Sequence, residues 1–382
     1  MKQFSPRISW LTFIICLGCA SSSVHENTIL PLHITKAAVD GPHVFYKKHS
    51  VVVKAIARDN QQLVLQKKTY PTTKNLILTC NVPDSDETFS FGIMDSILPP
   101  NTVTPQLPEK ILVISDIEGN FEAFKRLLSG AGVINSDFSW TFEKGHLVLL
   151  GDYLDRGTQV TECLWLAYKL EQEARAVGGE VHFIMGNHEL LNLAGQAQYV
   201  HEKYLKNARA YGEPYENWYS QHTELGRWLR SKNAIEKVGN LLFCHGGISP
   251  ELVQSGLSLD QINHIAQKYY GKNPSSPDNP ERALIFDTMK GPFWYRDMAR
   301  QKISQSAVDE ALTTYDANHV IIGHTLCKEI QLLYDHKVVC VDVFHEENLR
   351  MNLLETLLIE DGKFYKINSN GVKTILYPIF QP

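Results

Sequence analysis

Cysteine is scarce in this sequence, and through the body of the chain it is unpaired and odd in number. Seven thiols occur in 382 residues, and the five beyond the N-terminal segment show no Cys-x-x-Cys spacing, so neither a disulfide framework nor a zinc knuckle is implied. Cys16 and Cys19 lie near the N-terminus. Cys80, Cys163, Cys244, Cys327 and Cys340 are scattered through the body and read as single buried thiols. Basic residues are not in excess either: 37 Lys and Arg stand against 42 Asp and Glu, a formal net charge of -5. The chain therefore has no electrostatic footprint for nucleic acid. No internal repeat is visible. What remains is ordinary globular composition, 43% hydrophobic and 21% charged, in a chain long enough for two domains or one large domain with an appendage.

The N-terminus reads as an export signal. Lys2 and Arg7 flank an apolar run over residues 8–17, and Gly18, Cys19, Ala20 and three serines follow. The run is shorter than the roughly 18 residues that span a bilayer. Leu17-Gly18-Cys19 also resembles a bacterial lipobox, with Cys16 where a Leu-like residue is usual. The expectation is a signal peptide or lipobox over 1–19 and a periplasmic protein or membrane-anchored lipoprotein of a bacterium, attached to the membrane only through a lipid on Cys19.

Residues 24–104 read as a small β-rich N-terminal domain, because runs such as 49–56 and 75–79 are β-branched and bounded by turn formers. The stretch 84–106 is rich in Pro, Asp, Ser and Thr and reads as a linker. Beyond it the texture changes. Residues 110–115, 146–150 and 180–185 are continuous apolar runs, as in strands buried on both faces, and helical spacing follows the first two at 121–128 and 161–177. This alternation defines an α/β class over residues 105–345. Residues 346–382 read as a C-terminal β-hairpin extension, with turn signals at Asp361-Gly362 and Asn370-Gly371.

Each apolar strand ends in ligand-type residues. The clusters are Asp116-Ile117-Glu118-Gly119-Asn120, Gly151-Asp152-Tyr153-Leu154-Asp155-Arg156-Gly157, Gly186-Asn187-His188-Glu189, Cys244-His245-Gly246-Gly247 and Gly323-His324-Thr325. Loops at the carboxyl ends of strands in an open α/β sheet converge on one crevice, so clusters about 200 residues apart in sequence can share a site. One Asn-His-Glu alone is more often a turn than a site. Five clusters in order, each after a strand, are a specific signal.

That order resembles the calcineurin-like metallophosphoesterases, and within them the phosphoprotein phosphatases. Gly291-Pro292-Phe293-Trp294-Tyr295-Arg296 and the stretch from Met185 to Asn192, continuing to Tyr199-Val200, resemble the Shewanella-like subgroup. The resemblance covers roughly residues 108–345. It implies a two-sheet αββα sandwich and two divalent ions, manganese before iron, magnesium or zinc. It further implies that Asp116, Glu118 and a bridging Asp152 hold the first ion, and Asp152, Asn187, His245 and His324 the second. A hydroxide held between the ions would attack phosphorus in line. His188 would protonate the leaving oxygen, held by Asp155, and Arg156 and Arg296, with Asn187, would bind the phosphate. Glu189 reads as structural and Asp342 as outside the ligand set. The remaining histidines, His345 among them, read as surface or core.

One position departs. Glu118 stands where the family nearly always has His. A carboxylate still ligates but favours harder ions than zinc; the other reading is a weakened first site. The expected substrate is a phosphorylated protein, on tyrosine or on serine and threonine, or a small phosphomonoester scavenged outside the cytoplasm. A phosphodiesterase is disfavoured because two arginines suit a terminal dianion. The competing reading is a non-catalytic binding scaffold damaged at Glu118.

Overall fold

The structure, a computed structural model, describes Met1 and residues 38–60, 62–272 and 279–378. The leader and its cysteines lie outside the described residues. Two six-stranded sheets face each other at the centre. The first runs β17-β16-β15-β7-β8-β9 and the second β13-β14-β12-β11-β10-β6. Their members, in chain order, follow a three-stranded sheet of β1 (Ala38–Lys47), β2 (Ser50–Asp59) and β3 (Gln62–Tyr70), and a hairpin of β4 (Ile77–Asn81) and β5 (Thr88–Gly92). The central strands are β6 (Val103–Thr104), β7 (Lys110–Ile114), β8 (His146–Leu149), β9 (Glu180–Phe183), β10 (Ile235–Val238), β11 (Leu241–Cys244), β12 (His319–Ile322), β13 (Gln331–Leu333), β14 (Val338–Cys340), β15 (Glu355–Glu360), β16 (Lys363–Asn368) and β17 (Lys373–Pro378).

Period-two alternation explains why the strands are apolar throughout. Ile111, Val113 and Val148 face the second sheet and pack with Val238, Leu241, Phe243 and Ile321. Leu112, Ile114, Leu147 and Leu149 point the other way, into the helical layer. That layer includes α1 (Phe121–Gly130), α2 (Val160–Val177), α3 (Asn187–Leu193), α4 (Glu202–Tyr211) and α5 (Glu224–Arg230). The fold is the two-sheet α/β sandwich expected, with a β-rich sheet ahead of it.

Three boundaries differ from the sequence expectation. The stretch 84–106 is not a bare linker. It holds β5 and β6, the latter pairing parallel with β10. Thr88-Phe89-Ser90-Phe91 alternates in two-residue period, and the Phe91 ring stacks on Trp165 of α2 at 4.4 Å. Residues 346–382 are not an appended extension, since β15 pairs antiparallel with β7 and completes the first central sheet. Its turn at Asp361-Gly362 has positive φ at both residues (49° and 68°), the twist a two-residue hairpin needs.

The N-terminal strands also lack a core of their own. Val44, Val53, Phe89 and Phe91 belong to the same buried cluster as Trp165 and Leu164 of α2. Buried Asp40 of β1 accepts hydrogen bonds from Thr161 of α2 (2.9 Å) and Asn207 of α4 (2.8 Å). Trp165 Nε1 donates to the Pro42 carbonyl at 2.7 Å. The described residues from Ala38 onward accordingly form one compact unit. Phe91→Ala should cost about 3–5 kcal/mol of global stability. Chemical denaturation followed by both fluorescence and circular dichroism should still give a single shared transition; two separated transitions would mean independent cores.

Candidate metal centre

The five clusters do meet, at the carboxyl ends of β7, β8, β9, β11 and β12. The backbone is forced there: Asp116, Glu118, Asp152, Asp155, Arg156 and His324 all have positive φ, between 49° and 74°. Non-glycine residues rarely adopt this conformation, and strain of this kind concentrates at functional sites. Gly157 follows Arg156 for a packing reason, because a Cβ there would overlap the Glu118 carbonyl.

Asp152 is the centre. Its carboxylate is buried, with Oδ2 3.2 Å from His245 Nε2 and 3.8 Å from His188 Nε2. Its Oδ1 accepts the His188 backbone N–H at 2.9 Å. Burial alone would raise the carboxyl's pKa, but the imidazoles of His245, His188 and His324 pull it well below the usual carboxylate range. His245 is buried too, yet Asp152 holds its proton and pushes its pKa up to about 10. His324 goes the other way, down to about 2, through burial and the charge on His245. Burial and the Asp152 charge push Asp116 up to about 6.

Donor atoms of Asp152, His245 and His324 lie within 4.8 Å of one another, and so do those of Glu118, Asp152 and His188. Asn187 Oδ1 is 3.1 Å from His245 Nε2. Asp116 reaches the same crevice, but its Oδ2 accepts from the Ser115 hydroxyl and, at 3.1 Å, from the His324 N–H. Glu118 forms an ion pair with half-exposed Arg156. Arg296 donates to the His324 carbonyl at 2.5 Å. Asp116, Glu118, Asp152, Arg156, His188, Arg296 and His324 line one cavity of about 690 Å³, and Asn187 lines its neighbour.

The donors suit divalent ions. Four sets of carboxylate or amide oxygens stand with two imidazoles, and His324 Nε2 is buried with no hydrogen-bond partner. His245 Nδ1 donates to the Leu150 carbonyl at 2.6 Å, which turns Nε2 into the crevice as metal-ligating histidines require.

Behind the expected His188–Asp155 pair stand Asn192 and Tyr215, which the sequence did not reveal. His188 Nδ1 donates to Asp155 at 2.6 Å, the other Asp155 oxygen accepts from Asn192 at 2.9 Å, and Asn192 accepts from Tyr215 at 2.7 Å. Glu189, read as structural, grips two motif loops. Its carboxylate accepts the backbone N–H groups of Gly186, Asp152, Tyr153 and Leu154 at 2.8–3.2 Å. Asn120 caps α1 by accepting from Ala123 N–H. His345 is buried against the Ser115 carbonyl at 2.9 Å, and with Asp342 it lines the cavity.

A buried, carboxylate-rich crevice flanked by two arginines defines a hydrolase that handles phosphate esters with divalent ions. Residues 109–328 match the Calcineurin-like phosphoesterase family, and the chain belongs to it. Shewanella-like protein phosphatase 1 of Plasmodium berghei is 31% identical over 225 residues, which take in 56% of this chain and 61% of that protein. Shewanella-like protein phosphatase 2 of Arabidopsis thaliana is 24% identical over 72% of this chain and 82% of its own. The crystal structure of the cold-active protein-tyrosine phosphatase of a psychrophilic Shewanella species superposes with a TM-score of 0.79 at 31% identity, over 88% of this chain and 99% of that one. The chain is a metal-dependent phosphatase-type hydrolase.

Glu189→Gln places an amide N–H₂ among four N–H donors. It should destabilise the fold by about 1–3 kcal/mol and weaken divalent-ion binding, read by denaturant titration and by calorimetry with Mn²⁺. Unchanged values in both would show that the carboxylate is not what joins the loops.

Proposed function

We propose that the chain is a two-metal phosphomonoesterase acting on phosphotyrosine in peptides or proteins. Asp152 would be shared by the ions, with Asp116 and Glu118 on one side and Asn187, His245 and His324 on the other. When bound, two such ions supply positive charge beside the phosphate and lower the pKa of water. Glu118 adds a hard oxygen, which favours manganese, magnesium or iron over zinc.

The chain's own groups do the rest. Arg156 and Arg296 border the same cavity as His188, and their planar forks suit three phosphate oxygens and the charge that develops on them. His188 commits Nδ1 to Asp155, which leaves Nε2 facing the crevice; that nitrogen carries a proton when the ring is in its imidazolium form. Burial lowers the ring's proton affinity, but the charges of Asp152 and Asp155 outweigh that and raise its pKa above the ordinary histidine value, which favours the imidazolium. It is placed to protonate the leaving oxygen.

The observation that carries the tyrosine reading is the second basin, about 420 Å³, beside the arginines. Tyr199, half exposed, lies 5.0 Å from the His188 ring, and Trp294 and exposed Met289 complete an apolar wall. An aryl leaving group would stack there, whereas a serine side chain would leave the wall uncovered. The structurally similar Shewanella protein is a protein-tyrosine phosphatase, in agreement with this reading. The leader makes the same chain an exported protein, periplasmic or lipid-anchored at Cys19, with export tested by fractionating cells that carry Cys19→Ala.

The metal-loaded protein should turn over a phosphotyrosine peptide with higher kcat/KM than a phosphoserine peptide or a nucleoside monophosphate. Tyr199→Ala should lower the first by about 3–10-fold, the size of one aromatic contact, and leave the second nearly unchanged. Equal losses on all three would remove the basin from specificity. His188→Asn should keep the metals and cost about 10²–10⁴-fold on phosphoserine. The loss on phosphotyrosine should be smaller, since a phenol near pKa 10 leaves with little help; single-turnover rates on both peptides decide it.

A further inference from the structure

The opposite rim of the central sheets carries another group of ligand-type side chains. His146 begins β8 and Glu180 begins β9, and the parallel register sets them side by side. His182 lies two residues along β9. Alternation turns all three toward the facing sheet, like Val148 and Ile184 further along the same strands. One donor atom from each lies within 4.8 Å of the others. His182 Nε2 stands 2.9 Å from His146 Nδ1 and 3.8 Å from the Glu180 carboxylate.

The support behind His182 comes from the other sheet. Glu236 of β10 accepts from His182 Nδ1 at 2.6 Å, and Asn233 holds the second Glu236 oxygen at 3.0 Å. The carboxylate fixes the proton on Nδ1, so Nε2 presents its lone pair toward His146 and Glu180. Histidines that ligate metals are oriented by a carboxylate in this way. His146 also lines a cavity of about 550 Å³ with Glu109 and Glu143, which gives an ion a path inward.

We propose that His146, Glu180 and His182 form a separate divalent-cation site, suited to zinc, at the end of the sandwich away from the phosphatase crevice. Two imidazoles and one carboxylate around an open position are a common zinc donor set. Donors 2.0–2.1 Å from a tetrahedral ion stand about 3.3 Å apart, and the spacings of 2.9 and 3.8 Å bracket that value. For the ion to bind, the proton between the rings moves from His146 Nδ1 to His146 Nε2, so that both imidazoles ligate as neutral rings; water from the cavity takes the fourth position. The ion joins β8 to β9 and, through Glu236, to the second sheet. Its effect falls on stability rather than on chemistry.

The test is equilibrium dialysis of the metal-stripped full-length chain against Zn²⁺, with elemental analysis and thermal unfolding. The parent should hold one equivalent more than either His146→Gln or Glu180→Gln, and both variants should lose part of the zinc-dependent rise in Tm. The difference should persist when Asp152→Asn is added to parent and variants alike, which separates this site from the phosphatase centre even if that centre binds no metal. Phosphotyrosine turnover by His146→Gln and Glu180→Gln should match the parent. Glu180 is partly exposed, so its conservative variant tests the site even if His146→Gln fails to fold. Equal zinc content in parent and Glu180→Gln overturns the proposal.

Discussion

A carboxylate sealed from water at the junction of two sheets is the constraint on which this molecule turns. Asp152 is 2% exposed, and an ionised carboxylate buried without partners would cost many kcal/mol. The chain compensates by converging on it. The His188 backbone N–H and ring arrive from the end of β9 and the His245 ring from the end of β11. That convergence forces left-handed backbone on several non-glycine residues, a cost the surrounding packing must offset. The buried anion therefore explains the motif spacing, the strained loops and the attraction for cations together.

The N-terminal sheet belongs to the same logic. The Asp155 loop leads directly into α2, whose first N–H, on Val160, donates to the Tyr204 hydroxyl of α4 at 2.7 Å. Those two helices are the ones that Asp40 of β1 ties together. The strands ahead of the phosphoesterase domain thus brace the helices behind the catalytic loop. Their removal would expose the ring surfaces of Trp165 and Phe91 rather than release a free-standing module.

Much of this was legible in the chain because its signals are local. Apolar runs of four to six residues mark strands buried on both faces, and a ligand cluster after each run marks the crevice. Asn120 and Glu189 were local signals as well, an N-cap and an N3 acid. Glu189 was obscured because its N-cap, Gly186, has no side chain to announce a capping box. The Tyr215–Asn192–Asp155 relay left no trace, since it depends on a helix packing that only tertiary structure sets. The tail gave a hairpin but not its partner. Register between β15 and β7 joins residues some 240 positions apart, and many strand faces are apolar enough to accept it.

Glu118 is where local chemistry and the family pattern diverge, and the Arg156 ion pair gives the divergence physical content. The arginine is half exposed, and ion pairs in that setting contribute at most about 1 kcal/mol. Such a pair holds both groups in place without locking them. A carboxylate has two oxygens, so Glu118 can face a cation with one and Arg156 with the other. A histidine in its place would offer the arginine nothing, and the guanidinium would wait unpaired at the rim. A phosphate dianion makes stronger, bidentate bonds to the fork than one carboxylate oxygen does. On the proposed reading, then, substrate would draw Arg156 away from Glu118 and leave the acid wholly to the metal, coupling phosphate binding to the charge of the centre.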